Sequence, residues 1–163
     1  MSEPRAGPLV LGVGTEHRHD DRCGLDVVRA LRVRVGVGPR LVEASADAAE
    51  LLDLWEDEER VYVIDAVRSG DPPGTRQVLE VVGDLAPPAG ATSTHGLSLG
   101  EAVSLGRALG RMPRRLTLYT IEAADVTMGD GLSPAVAVSV ERVVDALVTE
   151  LEPAPGPGGI RHA

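Results

Sequence analysis

The sequence contains no lysine and no phenylalanine, and it has one cysteine, one tryptophan and two tyrosines among 163 residues. Each scarcity closes off something. Aromatics are only 2% while apolar residues are 43%, so a core has to be assembled from Val, Leu, Ile and Ala rather than from rings. Few rings also leave little for base stacking. The 16 basic residues, all arginine, form no basic block, and the formal net charge is −9; a nucleic-acid partner would need the opposite. A lone Cys23 excludes a disulfide framework and a multi-cysteine zinc site within the chain. No apolar run approaches a membrane span, so no membrane partner is expected. The opening MSEPRAGP lacks the charged-then-apolar pattern of a signal peptide, and the expected compartment is the cytoplasm.

What is present alternates. Leu9-Val10-Leu11-Gly12-Val13 reads as a short buried strand bounded by Pro8 and Gly14. A helical pattern follows from about Asp21, with Leu25, Val28, Leu31 and Val35 on its apolar side. Leu41-Val42-Glu43 predicts a second strand and residues 46–55 a helix, whose exposed end the acidic run 56–59 would cap. Val61-Tyr62-Val63-Ile64-Asp65 is the strongest strand pattern in the chain. Residues 78–82 suit a strand, 98–109 a helix and 116–121 another strand. Ser133-Pro134 is a helix entry, Ser as N-cap and Pro in the first turn. The stripe Val136, Val140, Val143, Val144 and Leu147 carries that last helix to about Leu151. This order predicts a three-layer α/β/α sandwich with a largely parallel central sheet. Residues 1–152 read as a single domain, and 153–163 as a disordered Pro/Gly-rich tail.

In such sheets, sites form where the strands end and their loops begin. Asp20 and Asp21 follow the first strand, Asp65 closes the third, and His95 lies in the loop before the central helix. Two carboxylates and an imidazole suit a borderline divalent ion with positions left open. Each residue also has an ordinary reading. Asp21 at a helix start can act as a cap, Asp65 can open a turn, and His95 can be a plain loop histidine. His17 and His19 add two further candidate ligands. Gly12-Val13-Gly14 after a strand invites a dinucleotide-binding reading, but position 17 is His where the third glycine of that fingerprint belongs. Ser93 and His95, two apart in the chain, are not read as a nucleophile–base pair. Cys23, in the first helical turn, reads as a small packed side chain.

Four segments together resemble the motifs of the hydrogenase maturation proteases, in the same order and over about residues 8–150. Residues 9–24 resemble the opening motif, an apolar strand, G-x-G-N, a short variable stretch and D-[DE]-G-x-G. Val63-Ile64-Asp65-Ala66 with Pro72-Pro73-Gly74-Thr75 looks like the second motif, and Ser93-Thr94-His95-Gly96-Leu97-Ser98 like the third. Gly129-Asp130-Gly131-Leu132-Ser133-Pro134-Ala135-Val136 is similar to the closing one. The resemblance implies an aspartic-type endopeptidase that removes the C-terminal extension of a nickel–iron hydrogenase large-subunit precursor after nickel insertion. It implies that Asp21, Asp65 and His95 are the metal-contacting and catalytic positions. The nickel would be carried by the precursor, with no permanent cofactor, and Asp20 would be a helper. A monomer is the expected state.

The chain departs from the pattern at Thr15, where Asn is usual, and at Arg22-Cys23, which replace a Gly and an apolar residue. An arginine beside a cation site is unfavourable unless it points away or pairs with Asp20. These departures motivate a rival reading, a non-catalytic metal-sensing assembly protein that binds the precursor without cutting it.

Overall fold

A computed structural model describes residues 7–81, 92–93 and 98–153. In chain order the elements are β1 (Leu9–Val13), a 3-10 turn (His19–Arg22), α1 (Cys23–Arg34), β2 (Arg40–Ala44), α2 (Ala48–Trp55) and β3 (Arg60–Arg68). Then come β4 (Arg76–Val81), β5 (Thr92–Ser93), α3 (Ser98–Leu109), β6 (Arg115–Glu122) and α4 (Pro134–Leu151). The sheet runs β2-β1-β3-β6-β4, with β5 on the far end of β3. β1, β2, β3 and β6 are parallel; β4 is antiparallel to β6, and β5 to β3.

Strand alternation sorts the core into two layers. Val10, Tyr62, Ile64, Tyr119 and Ile121 pack with α1 and α4. Leu9, Leu11, Val13, Val61, Val63, Leu116 and Leu118 pack with α2 and α3. The predicted stripe of α4 is buried at every position. At about 1.5–3 kcal/mol per buried Val or Leu side chain, as an upper bound, that stripe is enough to hold the helix down. The α/β/α sandwich with a largely parallel sheet is therefore as expected.

Three local readings need correcting. β3 does not close at Asp65 but continues to Arg68, because β6 pairs with it through Val67 and β5 pairs with Val67 and Arg68. β4 starts earlier than its apolar residues suggest, at Arg76, since antiparallel pairing with β6 runs from there. In the acidic run after α2, Glu58 is buried and ion-paired with Arg40 rather than left as an exposed cap.

One contact positions everything at the carboxyl edge. A Cβ on Gly24 would lie 2.3 Å from the carbonyl oxygen of Val13 and 2.5 Å from that of Ile64. A Cβ on Gly12 would lie 2.2 Å from the carbonyl oxygen of Gly24. Helix α1 therefore meets β1 and β3 backbone to backbone, which only glycine permits. The residue after Ile64 is Asp65, and three residues before Gly24 stands Asp21.

Candidate active site at the carboxyl edge of the sheet

The loop after β1 rises from Gly14, whose N–H donates to Ala44 at 3.2 Å, and returns as the 3-10 turn His19–Arg22. Asp20 in that turn is fully buried. Its Oδ2 accepts from Ala124 N at 2.8 Å, Asp125 N at 2.9 Å and the Ser133 hydroxyl at 2.8 Å. Its Oδ1 accepts from Ser133 N at 2.7 Å. Four donors on one carboxylate make Asp20 the pin joining the 3-10 turn, the segment after β6 and the start of α4, which also presents its positive dipole end there. Ser133 thus stands at the N-cap position, as expected, but its hydroxyl serves Asp20 instead of its own helix.

Asp21 is 2% exposed and Asp65 is 1% exposed. Asp21 is not the cap of α1: the N-cap residue is Arg22, and its side chain makes no capping bond. Asp65 pairs with Thr120 in the sheet and stands one residue beyond the last β1–β3 pair, Gly12 with Ile64. The 3-10 turn lies in contact with β3. Cys23 reports on the same neighbourhood: burial first, then the negative charges of Asp65, Asp20, Asp21 and Asp26, push its thiol well above the ordinary range. It is a packed core side chain, as read from the sequence.

His95 lies outside the described residues. Two residues before it in the chain is Ser93, whose partner in β3 is Val67, two residues past Asp65. Among the described residues, no group of three His, Cys, Asp or Glu side chains is disposed to hold a metal ion. His17 and His19 are committed elsewhere, both at positive φ. His17 Nδ1 lies 2.6 Å from Asp130 Oδ1, and His19 Nδ1 lies 3.1 Å from the carbonyl oxygen of Gly131. Main-chain bonds from His19 N to Gly129 O and from Gly129 N to His17 O, each 2.9 Å, complete the staple. The hydrogen bond from His17 holds Asp130 below the usual carboxylate range. Arg22 turns away from the acidic pair and forks onto Asp26, with Nε to Oδ2 at 3.1 Å and Nη2 to Oδ1 at 2.9 Å. Its charge is therefore spent within α1.

Sequence reasoning missed Glu122. Buried at the end of β6, it accepts from Ser69 N at 2.9 Å, the Ser69 hydroxyl at 2.7 Å and Gly70 N at 3.2 Å. It clamps the loop that follows β3. No pattern signals this, because its donors lie 52 and 53 residues away.

A doubly wound α/β/α sheet with its buried carboxylates gathered where the parallel strands end defines the class. The family model for hydrogenase maturation proteases matches residues 25–150. The hydrogenase 2 maturation protease of Escherichia coli K12 is 31% identical over 150 residues, 88% of this chain and 89% of that protein. The solved E. coli hydrogenase maturating endopeptidase HybD superposes with a TM-score of 0.74 at 25% identity, covering 89% of this chain and 91% of that one. The [NiFe] hydrogenase maturation protease HybD of Thermococcus kodakarensis gives 0.70 at 26% identity, covering 90% and 99%. The chain belongs to the hydrogenase maturation protease family, and it is a hydrolase of peptide bonds.

Proposed function

We propose that this protein removes the C-terminal extension of a nickel–iron hydrogenase large-subunit precursor, and that it reads the nickel already seated there as part of its substrate. The observation that carries the reading is the burial of two acidic residues, Asp21 in the turn after β1 and Asp65 within the neighbouring β3, in a chain of this family. Carboxylate oxygens are ordinary ligands for a divalent cation, here one carried by the substrate. His95 supplies the third ligand. This set of oxygens and one imidazole suits nickel and leaves positions for the precursor's own ligands.

Held so, the ion carries the scissile junction to one place against the 3-10 turn. Positioning of that kind supplies a large share of a hydrolytic rate, and the ion's charge favours the oxyanion that forms when water adds to the peptide carbonyl. Asp20 does not take part in proton transfer. Both its oxygens are occupied by donors of the scaffold, so its part is to hold Asp21 in place.

The test is to incubate the purified protein with large-subunit precursor loaded with nickel and with precursor lacking it. Cleavage of the loaded form only is expected, read as loss of the C-terminal peptide by mass spectrometry. Equal cleavage of both forms overturns the nickel reading. A stable complex with the peptide still attached favours the non-catalytic assembly reading instead.

A further inference from the structure

We infer that β4 is a self-recognition edge, through which two copies of this chain associate about a two-fold axis at Val78. β4 ends the sheet order, and among the described residues no strand pairs with its outer side. Thr75 accepts from Glu122 N at 2.8 Å, so its carbonyl faces β6. Alternation along an antiparallel strand then turns the N–H and C=O groups of Gln77, Leu79 and Val81 toward β6 as well. Those of Arg76, Val78 and Glu80 face outward, as a template for another strand. Their side chains share one face of the sheet, the face of Tyr119, with which Val78 is paired. Val78 is 57% exposed there, and Arg76 and Glu80 are exposed beside it.

The spacing of these three residues is self-complementary. Antiparallel pairing about Val78 sets Val78 against Val78 of the second copy, each N–H donating to the other's carbonyl. It sets Arg76 opposite Glu80 of the second copy, twice. Moving the register by two residues either way puts a charge opposite Val78 instead. Charged residues on a sheet edge ordinarily discourage pairing. Here one register converts them into two cross-strand pairs of opposite sign. Within one copy, among the described residues, Glu80 is ion-paired loosely with Arg115, at 3.9 Å, with both side chains more than half exposed. The occupant is therefore a second copy, which departs from the monomer expected from sequence. β6 stands between β4 and β3, so the seam leaves the carboxyl-edge site of each copy open. The inference is independent of the nickel reading above.

Sedimentation velocity of the full chain, from micromolar to near-millimolar concentration, tests it. A reversible dimer that weakens with added salt is expected. R76E and E80R each set like charges opposite one another twice and should weaken the dimer by about tenfold or more. Mixing the two variants should restore association as a heterodimer, and the double variant R76E/E80R should restore the homodimer. Only the Val78-centred register predicts both rescues. All these variants should keep the parent's processing rate. A wild-type monomer at every concentration overturns the inference, as does a dimer whose variants show no rescue. A monomer in which R76E or E80R loses affinity for the precursor overturns it too, and assigns the edge to a strand of the substrate.

Discussion

The two ends of the parallel strands handle charge in opposite ways. At the amino edge β2, β3 and β6 each begin with arginine, at Arg40, Arg60 and Arg115. Acids meet them there as ion pairs: Arg40 with Glu58, Arg60 with Glu150 at 3.5 Å, Arg115 with Glu80 at 3.9 Å. At the inner carboxyl edge the acids are Asp20, Asp21, Asp65 and Glu122, all buried. The donors to Asp20 and Glu122 are main-chain N–H groups and serine hydroxyls. The difference matters because a guanidinium cancels a carboxylate's charge, whereas an N–H dipole solvates it and leaves the charge in place. One edge is neutralised. At the other, dipoles rather than guanidinium groups solvate Asp20 and Glu122.

If that contrast is functional, changes at the carboxyl edge should dominate. Asp21→Asn, Asp65→Asn and His95→Ala should each lower kcat/KM for nickel-loaded precursor at least about 100-fold, roughly 3 kcal/mol of transition-state binding. Circular dichroism should show the fold intact. Near-normal processing by any one of them removes that residue from the site. Gly24→Ala comes next. Its methyl meets two main-chain oxygens that cannot swing aside, and overpacking of that kind should cost about 3 kcal/mol in urea titration. Processing should fall with it, since the Asp21 turn is pushed off β3; unchanged stability would mean that the sheet yields there.

Asp20→Asn should cost about 2 kcal/mol, because an amide nitrogen would confront the N–H of Ser133. Its processing loss should be smaller than that of Asp21→Asn. A loss as large with stability intact would place Asp20 among the reacting groups. At the far end of the scale, Glu150→Gln removes a half-exposed amino-edge pair. It should move stability by less than about 0.5 kcal/mol and processing not at all. A clear loss of processing there would break the contrast between the edges.

Much of this edge was legible in the sequence because local patterns encode it. Leu9–Val13 and the start of β3 are apolar runs, and the α4 stripe has a clean helical period; those features placed Asp21 just after β1 and Asp65 on β3, though not where β3 ends. The direction of β4 was not legible, since an antiparallel strand reads the same as a parallel one until its partner is known. Asp20 and Ser133 each matched a local rule, one as a helper acid and the other as a cap. The two satisfy each other instead across 113 residues. Nothing local distinguishes a carboxylate that has distant donors from one that lacks them. His95, outside the described residues, still rests on its motif.

That long-range pin also dates the site within the life of the chain. The donors to Asp20 come from residues 124, 125 and 133, between 104 and 113 positions downstream. Closing a loop of that length costs entropy that only late, non-local contacts repay. A ribosome-bound chain that has not yet exposed the start of α4 has no anchored 3-10 turn, however well β1 and α1 have already formed. The turn that carries Asp21 is thus anchored only after the first residues of α4 have been made, long after β1 and α1.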